Sequence, residues 1–159
     1  METPEPFTPE PGPPPQERDV LVPLPAGIWG AGERITTLAG MTLALSAFMS
    51  WYAGSGDGLT IAVIGWHTGV LGKLVFLLGL GVVVLGVLRE LGIELPPTIP
   101  ESLVIIVFGS IATILVLIRL IAVPDRFFPY DGRGIGIWIA LAASLALIVG
   151  GLLRAGEEL

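Results

Sequence analysis

The side chains able to do chemistry in this 159-residue chain are few and scattered. His67 is the only histidine and cysteine is absent, so one copy holds neither a two-histidine haem or zinc site nor a thiolate nucleophile. Lys73 and Arg119 are the only bases inside long apolar runs, and Asp57, Asp125 and Asp131 stand in the links around them. Asp57, His67, Lys73, Arg119, Asp125 and Asp131 together define a candidate outer polar cluster, suited to an anion, a lipid headgroup or a protein partner. The other reading of the two bases is snorkelling, because a long side chain about one turn below a membrane surface reaches the headgroups. As catalytic machinery the six groups are poor, since they sit on separate links with no nucleophile and base at a defined spacing. No catalytic residue, no metal site and no cofactor is therefore expected, and the chain reads as non-enzymatic. Apart from Glu101 at the start of the third, no Asp or Glu lies within an expected span, which argues against a proton-coupled carrier.

The elements that must position these residues follow from composition. The chain is 53% hydrophobic and 14% charged, with a mean hydropathy of +0.84, which places it among integral membrane proteins. Four apolar runs are each long enough to cross a hydrocarbon core of about 30 Å as a helix. They predict helices over 34–52, 67–88, 99–123 and 134–153. Short links force neighbours to be antiparallel, so the expected fold is an all-α membrane protein, an up-and-down bundle of four transmembrane helices. The formal charge of −6 excludes nucleic acid as a partner, because a binder needs a basic face. Membrane lipid and either a protein partner or further copies of the chain remain.

Residues 1–27 are a different material from the transmembrane domain, 28–159. Nine of the fourteen prolines lie in this arm, beside five acidic residues and Arg18 as its single base. Proline removes backbone donors and like charges oppose collapse, so an extended, disordered arm is expected. It lacks the basic start and apolar core of a signal peptide. A docking tail and a solubilising extension are both open readings.

Helix packing has its own signature. Glycines at 65, 72, 79 and 86 recur every seven residues and so line one stripe of a helix. In the last helix Gly136, Ala140 and Ser144 step by four, and Gly136, Ala143 and Gly150 by seven. Such faces let membrane helices approach closely. The first helix carries Thr36, Thr37, Thr42, Ser46 and Ser50, whose hydroxyls either bond back to their own helix or line a polar path. Trp51, Tyr52, Trp66, Phe127, Phe128 and Tyr130 are candidate interface aromatics. Leu59 to Trp66 is expected as a short surface strand or half-buried loop, because a helix extended through it would be about 45 Å long. Thr98 and Glu101 form a capping-box pattern with Pro100 between them. Arg34 directly before the first helix, with nothing basic following until Lys73, places both termini in the cytoplasm of a multi-pass plasma-membrane protein.

The succession FMSWYAG, GWHTGVLGKLVF, VLRELGIELPPTIPESLVI, RLIAVPD and RGIGIWIALAAS resembles small uncharacterised four-helix integral membrane proteins of actinobacteria over about residues 34–159. A tryptophan-bearing first outer link also gives a layout similar to claudin-like proteins, without the cysteine pair. The resemblance implies a bundle in the plasma membrane and no reaction. Three functions stay open: an accessory, scaffold or assembly subunit acting through helix packing and the proline arm; a small channel or carrier formed by homo-oligomers; and a lipid-headgroup enzyme at the outer surface.

Overall fold

The computed structural model describes residues 30–56, 59–93, 99–122 and 132–158. The order is α1 (Ala31–Ser46), β1 (Ser50–Gly56), β2 (Leu59–Ile64), a 3-10 turn (Gly65–Thr68), α2 (Val70–Glu90), α3 (Glu101–Ile121), β3 (Gly132–Arg133) and α4 (Ile135–Glu158). The described chain is mostly helical, and α2, α3 and α4 are long and apolar enough to cross a membrane, with mean hydropathies of 2.5, 2.7 and 2.3 over their most apolar windows. Their outward faces carry Leu77, Ile114, Ile121 and Leu152, all exposed. That is the inverse of the amphipathic pattern of a helix facing water.

α1 is shorter, 16 residues, or about 24 Å. It does not run to Tyr52 as the apolar run suggests. After Ser46 the N–H groups of Ala47, Phe48 and Met49 bond three residues back, at 3.2, 3.0 and 3.1 Å, which tightens and ends the helix. The Trp51 indole then adds a second donor to the Ser46 carbonyl at 2.9 Å, beside the Met49 N–H. From Ser50 the chain is extended and pairs antiparallel with β2, with a bulge at Trp51 between the pairs Ser50↔Ile64 and Tyr52↔Val63. The two-residue β3 adds to the other edge, giving the order β2-β1-β3. This sheet closes one end of the bundle; of its strands only β2 falls on a stretch expected as a short strand or half-buried loop.

α1 packs on α2 and α4, and α3 also packs on α2 and α4, so the helices form a ring with α1 opposite α3. Leu43, Val75, Ile105, Val116, Ile137 and Leu147 fill its centre. Between α3 and α4, Thr113 Oγ1 lies 3.0 Å from Ser144 Oγ.

Helix ends depart from expectation by a few residues, each for a local reason. Gly65–Thr68 forms a turn of its own, closed by Thr68 Oγ1 donating to Gly65 O at 2.6 Å, so α2 starts at Val70. At its other end Gly92 adopts φ 74°; its N–H reaches Arg89 O and that of Ile93 reaches Leu88 O, both at 2.9 Å. This is the Schellman closure, which needs a left-handed residue that glycine supplies without a Cβ clash. α3 begins at Glu101 with the extended Pro100 as N-cap, not at Ile99; Thr98, the expected cap, lies outside the described residues. α4 continues past Leu153 and takes Arg154 into its last turns.

Candidate functional site

Polar side chains gather at the two ends of the bundle. At the sheet end they close backbone groups. Arg119, on the last turn of α3, donates from Nη2 to Thr68 O at 2.5 Å, tying α3 to the turn before α2. Arg133 on β3 donates from Nε and Nη2 to Leu120 O at 3.1 and 2.8 Å. Tyr52 on β1 donates its hydroxyl to Arg119 O at 2.8 Å. The carbonyls at the end of α3 are thus taken by a tyrosine and an arginine from the sheet. Burial pushes the Tyr52 phenol above its ordinary value, opposed by the charges of Arg119 and then Arg133.

Beside this closure lies an aromatic cluster. Phe48 stacks on Trp66 with centroids 5.6 Å apart, and Phe76 meets both rings edge-on at 5.3 Å. Lys73 Nζ stands 5.6 Å from the Trp66 ring centre, within cation–π range. Of the candidate outer cluster, Arg119 is held by Thr68 O, Lys73 is exposed against Trp66, and His67 is exposed in the 3-10 turn. Asp57, Asp125 and Asp131 lie outside the described residues, as do the aromatic candidates Phe127, Phe128 and Tyr130 and the arm 1–27. Trp51 and Tyr52 are both fully buried, because β1 folds them over the bundle end instead of leaving them on a continuing helix.

The opposite end holds an ion-pair network. Glu101 at the start of α3 meets Arg154 of α4 at 3.1 Å and Arg89 of α2 at 3.6 Å. Arg154 is only 5% exposed, and its Nη2 has no hydrogen-bond partner among the described residues. Arg89 and Arg154 both stand toward the C-terminal ends of their helices, and Glu101 joins them. Nothing local signals such a pairing, which spans three helices.

The small residues line helix contacts of different closeness. A Cβ on Gly79 would stand 2.6 Å from the Ala44 backbone nitrogen, so α1 and α2 nearly touch there, whereas one on Gly86 would find Thr37 Oγ1 at 3.5 Å. A Cβ on Gly72 would collide with Gly65 O, and one on Gly65 with the Trp51 ring at 2.5 Å. On α4, Gly150 faces Thr36 of α1, and Gly136 faces Met49 and Ser50. Ala140, Ala143 and Ser144 are buried on the same helix. The hydroxyls of α1 bond back where they are buried: Thr36 Oγ1 to Gly32 O and Glu33 O, both at 2.9 Å, and Ser46 Oγ to Leu43 O at 2.6 Å.

The surface of the described residues also carries hollows. One, about 400 Å³, is a shallow apolar groove between α1 and α4, with Ala39 and Ala143 at its base and Leu38, Thr42, Ala142 and Ile139 around it. Another is a crevice between the start of α1 and the end of α2, lined by Glu33, Thr37 and Glu90. No family model, curated protein or solved structure matches the chain.

Proposed function

We propose that the chain is a non-enzymatic, multi-pass plasma-membrane protein in which α1 completes a four-span bundle, both termini face the cytoplasm, and the outer helix faces serve assembly with a partner. The observation that carries this reading is the groove between α1 and α4. Ala39 and Ala143 make its base, and small side chains let another helix come within van der Waals reach in lipid, where hydrophobic burial alone gives little drive. The polar side chains support the same view. Arg119, Arg133 and Tyr52 bond backbone carbonyls, and Arg89, Arg154 and Glu101 pair with one another, so each has a structural role.

The test is gentle extraction of the tagged full chain from its native membrane, followed by native mass measurement, with Ala142→Phe as the groove-filling variant. The expected result is a stoichiometric partner that Ala142→Phe loses while the bundle keeps its melting temperature. A homo-oligomer without a partner, unaffected by the variant, overturns the accessory reading and favours a channel or carrier. Against that second reading, the buried hydroxyls Thr36 and Ser46 bond their own helix.

A further inference from the structure

The crevice between α1 and α2 has a physical cause. The two helices are pressed together at Gly40, Ala44 and Gly79, and separate by Thr37 and Gly86. Beyond that point they diverge toward the end where α1 starts and α2 stops. The wedge opens as two adjoining hollows of about 500 and 330 Å³, which share Glu33, Thr37 and Glu90.

Its lining is divided by polarity. One wall is Val83, Gly86, Val87 and Leu91. The mouth carries Glu33 and Glu90 from opposite helices, with Arg34 on the rim. Among the described residues neither carboxylate makes an ion pair or hydrogen bond. Two like charges facing one gap repel, and at a membrane boundary, where the local dielectric is below that of water, they favour a cation between them. A bare inorganic cation would leave the apolar wall unused. A simple anionic lipid would meet two carboxylates. The pattern of two negative charges, one positive charge and an adjoining apolar wall complements a headgroup that bears an ammonium beyond a phosphate, with acyl chains attached.

We propose that this crevice binds a zwitterionic aminophospholipid. Its ammonium lies between Glu33 and Glu90, its phosphate meets Arg34, and an acyl chain lies along Val83 and Val87. A primary ammonium fits better than a quaternary one because it can donate charge-assisted hydrogen bonds to both carboxylates. The inference rests on the reading of α1 as a membrane span.

The test uses the full-length protein in detergent, with phosphatidylethanolamine or phosphatidylglycerol added back and retained lipid read by native mass spectrometry. Phosphatidylethanolamine should bind at least about tenfold more tightly than phosphatidylglycerol, a difference of two charge-assisted contacts. The double variant E33Q/E90Q should abolish the preference. Gly86→Leu, which fills space along the apolar wall and keeps every charge, should reduce binding of phosphatidylethanolamine while the protein still melts cooperatively. Equal retention of both lipids by the unaltered protein, or an unchanged preference in folded E33Q/E90Q, overturns the proposal. A separate Met41→Cys variant reports on α1 in membranes: labelling of Cys at this site by an impermeant maleimide defeats the span itself, whereas a protected thiol with no lipid preference defeats the lipid site alone.

Discussion

At the residue scale, glycines that look alike in the sequence stand in different surroundings. Gly79 and Gly86 occupy one stripe, two turns apart. The Cβ of Gly79→Ala would fall 2.6 Å from the backbone nitrogen of Ala44 and 2.8 Å from Gly40 O, neither of which can move without shifting α1. We expect Gly79→Ala to destabilise by about 1–3 kcal/mol, the usual cost of overpacking. Gly86→Ala meets Thr37 at ordinary contact distance and should gain about 0.5–1 kcal/mol from the lost glycine entropy. Thermal melts of both variants in the same detergent check the pair; equal effects would mean that the approach of α1 and α2 is not closest at Gly79. Tyr52 gives a second residue-scale prediction. Its phenol is pushed up by burial, so above about pH 10, where an unfolded tyrosine ionises, the folded state holds a proton that the unfolded state has released. Stability therefore falls as pH rises beyond that point. Tyr52→Phe should lower stability by about 1 kcal/mol near neutral pH through loss of its bond to Arg119 O, and should flatten the alkaline decline in melting temperature.

At the scale of elements, Glu101 joins three helix ends. Its two arginines differ sharply in environment, with side-chain exposures of 5% for Arg154 and 47% for Arg89. Glu101→Gln leaves the buried guanidinium without its counter-charge and should cost about 3–5 kcal/mol. Arg89→Ala removes an exposed, longer pair and should cost no more than about 1 kcal/mol. Comparable losses from the two substitutions in a detergent melt would show that Arg154 is compensated by something other than Glu101. Hydropathy made α2, α3 and α4 legible, because an uninterrupted apolar run of about twenty residues has few other solutions. The end of α1 was not legible for the same reason: Phe48, Met49, Trp51 and Tyr52 continue the apolar run across the boundary with no glycine or proline to mark it. What ends the helix is the indole of Trp51 on Ser46 O and the pairing of β1 with β2, the second of which depends on residues beyond the run. β3 is two residues long, too short to leave a periodic signal. The ends of the bundle are hidden for a related reason. Arg119 finds Thr68, and Glu101 finds Arg154, across separations that no local spacing encodes.

For the whole molecule, the order of packing ties the start of the first helix and the end of the last to one end of the bundle. α1 lies between α2 and α4 and runs antiparallel to both, so its start and the end of α4 share one side. The outward residues of α1, Leu38, Met41 and Leu45, are exposed and apolar, which suits hydrocarbon and not water. At 16 residues the helix is shorter than the about 20 residues of a typical span, but the tightened turn through Met49 and the buried Trp51 continue its protein cover toward the sheet. Because the chain has no cysteine, single cysteines report cleanly. With four crossings and cytoplasmic termini, an impermeant maleimide added to intact cells should label His67→Cys at the sheet end and leave Ala31→Cys and Glu157→Cys unlabelled until the cells are opened. Labelling of Ala31→Cys and Glu157→Cys, with His67→Cys protected, would keep the bundle and invert it. That outcome is physically reasonable only if the sheet-end bases Lys73, Arg119 and Arg133 outweigh Arg34 in setting orientation, even though Arg119 and Arg133 already donate to backbone carbonyls. Opposite labelling of Ala31→Cys and Glu157→Cys would remove α1 from the membrane, and with it the four-span bundle.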